Sequence, residues 1–136
     1  MARIIGIDFG EKRTGIAVTD PLQIIASGLT TVSTTKLLAY LKDYVHSEEV
    51  ELIVVGQPRR MNNEFSDVEQ KIQDFLNALK LEIPQIPIVR VDERFTSKIA
   101  FQSMLDAGVK KKDRRNKELL DQVSATVILQ SYLYNR

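Results

Sequence analysis

The chain has 136 residues, 43% hydrophobic and 27% charged, with a net charge of +1 and no cysteine. That length predicts a single domain over 1–136, the apolar content excludes a disordered chain, and the absence of thiols excludes disulfides and thiolate metal sites. No apolar run approaches the roughly 20 residues of a transmembrane helix, and MARIIGIDFG does not read as a secretory signal, so a cytoplasmic protein without membrane contact is expected.

Residues 3–9, RIIGIDF, form a short β-branched run bounded by Gly10, and TGIAVT (14–19) follows after the polar turn 10–13. A hairpin is the natural connection, and a weaker strand around 28–33 extends it into an antiparallel meander. The period then changes: Leu37, Leu38, Leu41 and Val45 recur at helical spacing, with Thr34 or Thr35 available as N-cap. LIVVG (52–56) is a buried strand closed by Gly56 and Pro58. Phe65, Val68, Ile72, Phe75, Leu76 and Leu79 make an amphipathic helix, and Ser66 with Glu69 has capping-box spacing. IPIVRV (86–91) is a fifth strand, Thr96 caps a helix running to Gly108, and a last helix runs from about Lys117 to Tyr134. A meander followed by strand–helix alternation predicts an α/β fold, a mixed five-stranded sheet with helices on both faces.

The charge is unevenly spread. Residues 110–117, KKKDRRNK, carry a local +5, which leaves −4 for the rest of the chain. Such a loop can be merely solvated, or it can supply the sequence-independent part of nucleic-acid affinity through Lys110, Lys111, Lys112, Arg114 and Arg115, joined by Arg59 and Arg60.

Carboxylates stand in three unexpected places. Asp8 ends an apolar strand and shares a face with Ile4 and Gly6, where it can project at the core edge or simply form the turn before Gly10. Asp92 and Glu93 follow the fifth strand, where α/β sheets gather ligands, or where Arg94 gives an ordinary ion pair. Asp121 shares a helix face with Ala125, Ile128 and Tyr132 and so needs a partner, with Lys117 one turn back as the local candidate. Converging carboxylates are what two-metal phosphodiester hydrolysis requires. Oxygen ligands without Cys or paired His select Mg²⁺ or Mn²⁺. The single histidine, His46, lies in a polar stretch and leaves no His-dependent triad.

The segments IIGIDFGEKRTGIAVTD (4–20), VVGQP (54–58), VDERFTS (91–97) and DQVSATVILQSYL (121–133) together resemble the YqgF/RuvX family, whose RNase H-like fold is related to the RuvC-type Holliday-junction resolvases. The resemblance implies a metal-dependent nuclease processing the 5′ end of precursor 16S rRNA, with resolution of branched DNA junctions as the alternative. By similarity Asp8, Glu93 and Asp121 would be the catalytic and metal-binding carboxylates, with Asp92 competing with Glu93 for the metal. Arg13 and Thr14 of the RTG turn, and Arg94, would contact substrate phosphate or brace the site. Gln57, Asn62-Asn63 and Val123-Ser124 depart from the family pattern without removing a ligand.

Two rivals remain at the level of sequence. A GIDFG-like strand also opens the ATP-binding fold of sugar kinases and actin, but those proteins clamp nucleotide between two such domains and 136 residues supply one. The other rival is a non-catalytic RNA- or junction-binding module. No dimer face is evident, so the expectation is a monomer or weak homodimer.

Overall fold

Branched apolar side chains at alternating positions decide how the first strand faces. In β1 (Arg3–Asp8), Ile5 and Ile7 point to one side of the sheet, and Ile4, Gly6 and Asp8 to the other. The computed structural model describes residues 2–58, 68–92 and 117–136, apart from the side chain of Lys117. Strands β2 (Arg13–Thr19) and β3 (Ala26–Ser33) continue from β1 as the expected antiparallel meander. Helix α1 (Leu37–Ser47) then leads to β4 (Val50–Gln57), which pairs parallel to β1. Helix α2 (Glu69–Glu82) precedes β5 (Ile88–Asp92), which pairs parallel to β4, and α3 (Lys117–Asn135) closes the chain. The strand order is β3-β2-β1-β4-β5.

The two faces of the sheet carry different helices. Ile5, Ile7, Ile16, Ile53 and Val55 pack with Leu37 and Leu41 of α1 and with Ile72, Leu76 and Leu79 of α2. On the opposite face Ile4, Ala17 and Val54 meet Ala125, Ile128 and Leu129 of α3. Since β1, β4 and β5 are parallel, with Ile7 beside Val55 and Gly56 beside Val91, their carboxyl ends open on one edge of the molecule.

Local expectations fail at two boundaries, each for a physical reason. Neither Thr34 nor Thr35 caps α1: a 3-10 turn over Thr34–Lys36 intervenes, and Lys36 holds the N-cap position without a side-chain bond. The Thr34 hydroxyl is committed elsewhere, donating to the Gly10 carbonyl at 2.6 Å. Helix α2 starts at Glu69 after Val68, with the Glu69 carboxylate bonded to Arg90; Ser66, the other half of the expected capping box, lies outside the described residues. Strand β5 starts at Ile88 rather than 86, because Pro87 has no N–H for the ladder and contributes only its carbonyl, which accepts from Ile53 N at 3.0 Å. The helix expected over 96–108 lies outside the described residues.

Candidate active site

Asp8 is the last residue of β1 and lies opposite Gly15 of β2 in the antiparallel register. It faces α3, and Gly15 is what lets α3 come close. A Cβ at position 15 would stand 2.0 Å from the Asp121 carbonyl oxygen and 3.0 Å from the Asp121 Cβ. Gly6 does the same one step along the sheet, where a Cβ would meet Leu129 Cβ at 2.8 Å. Ala125, the small residue one turn beyond Asp121, is fully buried in this contact. The helix therefore rests on the strand backbone, and Asp121 is set over the Asp8–Gly15 pair.

Two carboxylates so placed interact. The Asp8 carboxyl is pushed up to about 7, first by burial and then by the negative charge of Asp121. Arg13, two residues before Gly15 and on the same side of β2, donates from Nε to Asp121 Oδ2 at 3.0 Å. The site therefore holds two acids and one guanidinium, supplied by β1, α3 and β2. Asp121's described partner is this Arg13, 108 positions away; the side chain of Lys117, the candidate that helical spacing offered, lies outside the described residues.

Thr14, for which the resemblance implies contact with substrate phosphate or bracing of the site, points to the opposite face from Asp8 and is fully buried. Its hydroxyl lies 2.9 Å from that of Thr34. Thr34 spends its own proton on Gly10, so Thr14 is the donor, and the pair braces the turn between β1 and β2.

Below the carboxyl ends of β4 and β5, on the face away from Asp8, Arg90 and Glu69 form a buried pair that sequence reasoning missed. Arg90 Nη1 and Nη2 donate to the two Glu69 carboxylate oxygens at 3.0 and 2.9 Å, and Nη2 also donates to the Gly56 carbonyl at 3.0 Å. Gln73 adds a bond to Glu69 at 2.7 Å. These donors, Arg90 foremost, hold the Glu69 carboxyl below its usual range despite burial. The signal available was an Arg inside an otherwise apolar strand, which had to find an acid.

The whole chain also has known relatives. The family described as RuvX, Holliday junction resolvase, matches residues 2–135. The chain belongs to the RuvX family. A protein from Phocaeicola vulgatus named "Putative pre-16S rRNA nuclease" is 58% identical over 136 residues, covering 100% of this chain and 98% of the relative. One from Christiangramia forsetii bearing the same name is 56% identical over 134 residues, covering 98% and 99%. Among solved structures, Thermus thermophilus RuvC in complex with a Holliday junction substrate superposes with a TM-score of 0.61 at 17% identity, covering 98% of this chain and 96% of that one. That likeness shows the fold, which is RNase H-like, as the RuvX resemblance implied.

Other candidate residues are not brought together in the described structure. Asp92 ends β5, exposed, with its Cα paired to that of Gln57. Glu93, Arg94, Lys110, Lys111, Lys112, Arg114 and Arg115 lie outside the described residues, as do Arg59 and Arg60. Among the described residues no group of three or more His, Cys, Asp or Glu is placed to hold a metal. The donors that are present do suit a hard divalent cation. Asp8 and Asp121 offer only oxygen, and a cation between them would relieve both the burial cost and the mutual repulsion that push Asp8 upward. Among the described residues no helix is long and apolar enough to cross a membrane.

Proposed function

We propose that this chain is a metal-dependent nuclease that hydrolyses phosphodiester bonds, acting in the cytoplasm as a single domain on the 5′ end of precursor 16S rRNA. One observation carries the reading: Asp8 and Asp121 meet across Gly15 at the carboxyl end of β1, in a chain 58% identical to a relative named "Putative pre-16S rRNA nuclease". Asp8, Asp121 and Glu93 would hold Mg²⁺ or Mn²⁺ through carboxylate oxygens. Asp92, at the end of β5, would compete with Glu93 for the metal. When bound, a pair of such ions would supply an activated water and a stabilised leaving oxygen.

The chain's own residues do the rest. Arg13 is half-exposed beside Asp121 and in reach of a backbone phosphate entering the site, with Arg94 as its counterpart after β5. Thr14 and Thr34 hold the β1–β2 turn so that Asp8 and Arg13 keep their spacing. The basic stretch 110–117 would draw the polyanion toward an acidic site that otherwise repels it.

The deciding experiment compares wild type with Asp8→Asn in Mg²⁺ and in Mn²⁺ on two labelled substrates. One is a precursor rRNA fragment with its 5′ extension and the other is a four-way DNA junction. Metal-dependent cutting of the RNA, lost in the variant, is the expected result. The family description favours one second reading, resolution of branched DNA, and preferential symmetric cutting of the junction would establish it. Binding without cutting by wild type would leave a nucleic-acid-binding module and sink the nuclease.

A further inference from the structure

Arg13 and Arg90 each contact a carboxylate, and the two contacts are built differently. Arg90 is fixed by both carboxylate oxygens of Glu69 and by backbone carbonyls, with side-chain exposures of 18% and 9% for the two partners. Arg13 makes a single bond through Nε, with 37% of its side chain exposed. Among the described residues its two terminal nitrogens have no hydrogen-bond partner, and neither does Asp121 Oδ1. A one-point, solvent-facing ion pair is held weakly and exchanges easily, whereas a bidentate buried pair does not.

This weak pair stands where two ligands would compete for the same groups. The Asp121 oxygen that Arg13 occupies is a proposed metal donor, and the guanidinium itself is a proposed phosphate contact. We propose that Arg13 exchanges partners: without substrate it holds Asp121 as a stand-in cation, and a nucleic-acid phosphate draws it away, freeing Asp121 for the divalent ion. Metal and substrate then bind with positive coupling, each raising the other's affinity by the same factor. Metal loads fully only when a strand is present, and the apo acids are kept from binding stray cations. The inference rests on the nuclease reading above, because it needs both the metal and the phosphate.

The test measures Mn²⁺ affinity calorimetrically for the whole chain, with and without a phosphorothioate RNA matching the precursor 5′ end and chosen to resist cleavage. In wild type the RNA should tighten Mn²⁺ binding at least fivefold. Arg13→Gln should bind Mn²⁺ at least threefold more tightly than wild type in the absence of RNA, and the RNA should add little. Lys12→Gln removes the same charge one residue away and controls for a general field effect, so it should leave Mn²⁺ affinity within twofold of wild type and keep the coupling. If Arg13→Gln bound Mn²⁺ no better than wild type, or if Lys12→Gln matched it, the exchange would be wrong while the nuclease reading survived. If neither wild type nor Arg13→Gln bound Mn²⁺, the metal reading would fall, and this inference with it.

Discussion

Burial and the neighbouring Asp121 charge both act on Asp8, and the consequence differs between stability and function. Its folded pKa of about 7 stands above the ordinary value of 3.8. The folded protein therefore holds a proton that the unfolded chain has released, and stability falls as pH rises from about 4 through 7. Asp8→Asn, which cannot ionise, should be more stable than wild type at pH 8 in EDTA by on the order of 2–4 kcal/mol. That gap should close as pH falls toward 4, which thermal melts across the range would measure. Excess Mg²⁺ or Mn²⁺ at pH 8 should raise the melting temperature of wild type and leave the variant unmoved, while the variant loses cleavage. A variant less stable than wild type at pH 8 would mean that Asp8 is satisfied by a partner. The sequence made Asp8 and Asp121 conspicuous as acids on apolar faces, but their meeting depended on the family resemblance. The Arg13–Asp121 bond was out of reach because helical spacing reports only neighbours one turn away.

At the scale of elements, the site exists because α3 lies directly on β1 and β2, and glycines set that distance. Gly15→Ala would drive a methyl into the Asp121 carbonyl, a backbone atom that cannot step aside. We expect it to cost about 2–4 kcal/mol by the magnitudes of overpacking and backbone displacement. Cleavage should fall at least a hundredfold, because the carboxylates are held on the displaced segment. Gly28→Ala makes a gentler comparison: its Cβ would lie 3.2 Å from the Gln122 Cβ, and a loss of about 1 kcal/mol or less with activity retained is expected. Chemical denaturation and single-turnover cleavage of both variants would test the contrast, and equal effects would refute it. The buried Arg90–Glu69 pair ties α2 to the ends of β4 and β5, so Glu69→Ala should cost about 3–5 kcal/mol by stranding the guanidinium. The strands and helices themselves were legible, since β-branched runs and 3.6-residue spacing report directly on burial. Their ends were less so: Thr34 looked like a cap until the Gly10 carbonyl claimed its hydroxyl, and Pro87 delayed β5 by withholding an N–H. Gly15 reads in sequence as an ordinary strand glycine, and its reason lies on a helix more than 100 positions later.

For the whole molecule, the question is how an acidic site receives a polyanion. The chain outside residues 110–117 carries −4, and Asp8 and Asp121 lie at the carboxyl edge of the sheet, so the basic stretch is the proposed source of long-range attraction. Replacing Lys110, Lys111, Lys112, Arg114 and Arg115 with glutamine would move the net charge from +1 to −4. If those side chains neutralise phosphates, each phosphate left without its cation should reduce the slope of log affinity against log salt by about 0.7 for a single strand. Three such phosphates would flatten it by roughly 2 and weaken binding about 10- to 100-fold at low salt, with the difference shrinking as salt rises. Cleavage at saturating RNA should change far less than the concentration needed to saturate, because the carboxylates and Arg13 remain in place. Fluorescence anisotropy with the precursor RNA at four or five salt concentrations gives the slope directly. An unchanged slope with unchanged affinity would mean that the stretch is only a solvated loop, and attraction would then have to come from Arg59, Arg60 or Arg94. A lower maximal rate with unchanged affinity would instead place these side chains at the scissile phosphate, making the loop part of the site rather than its approach.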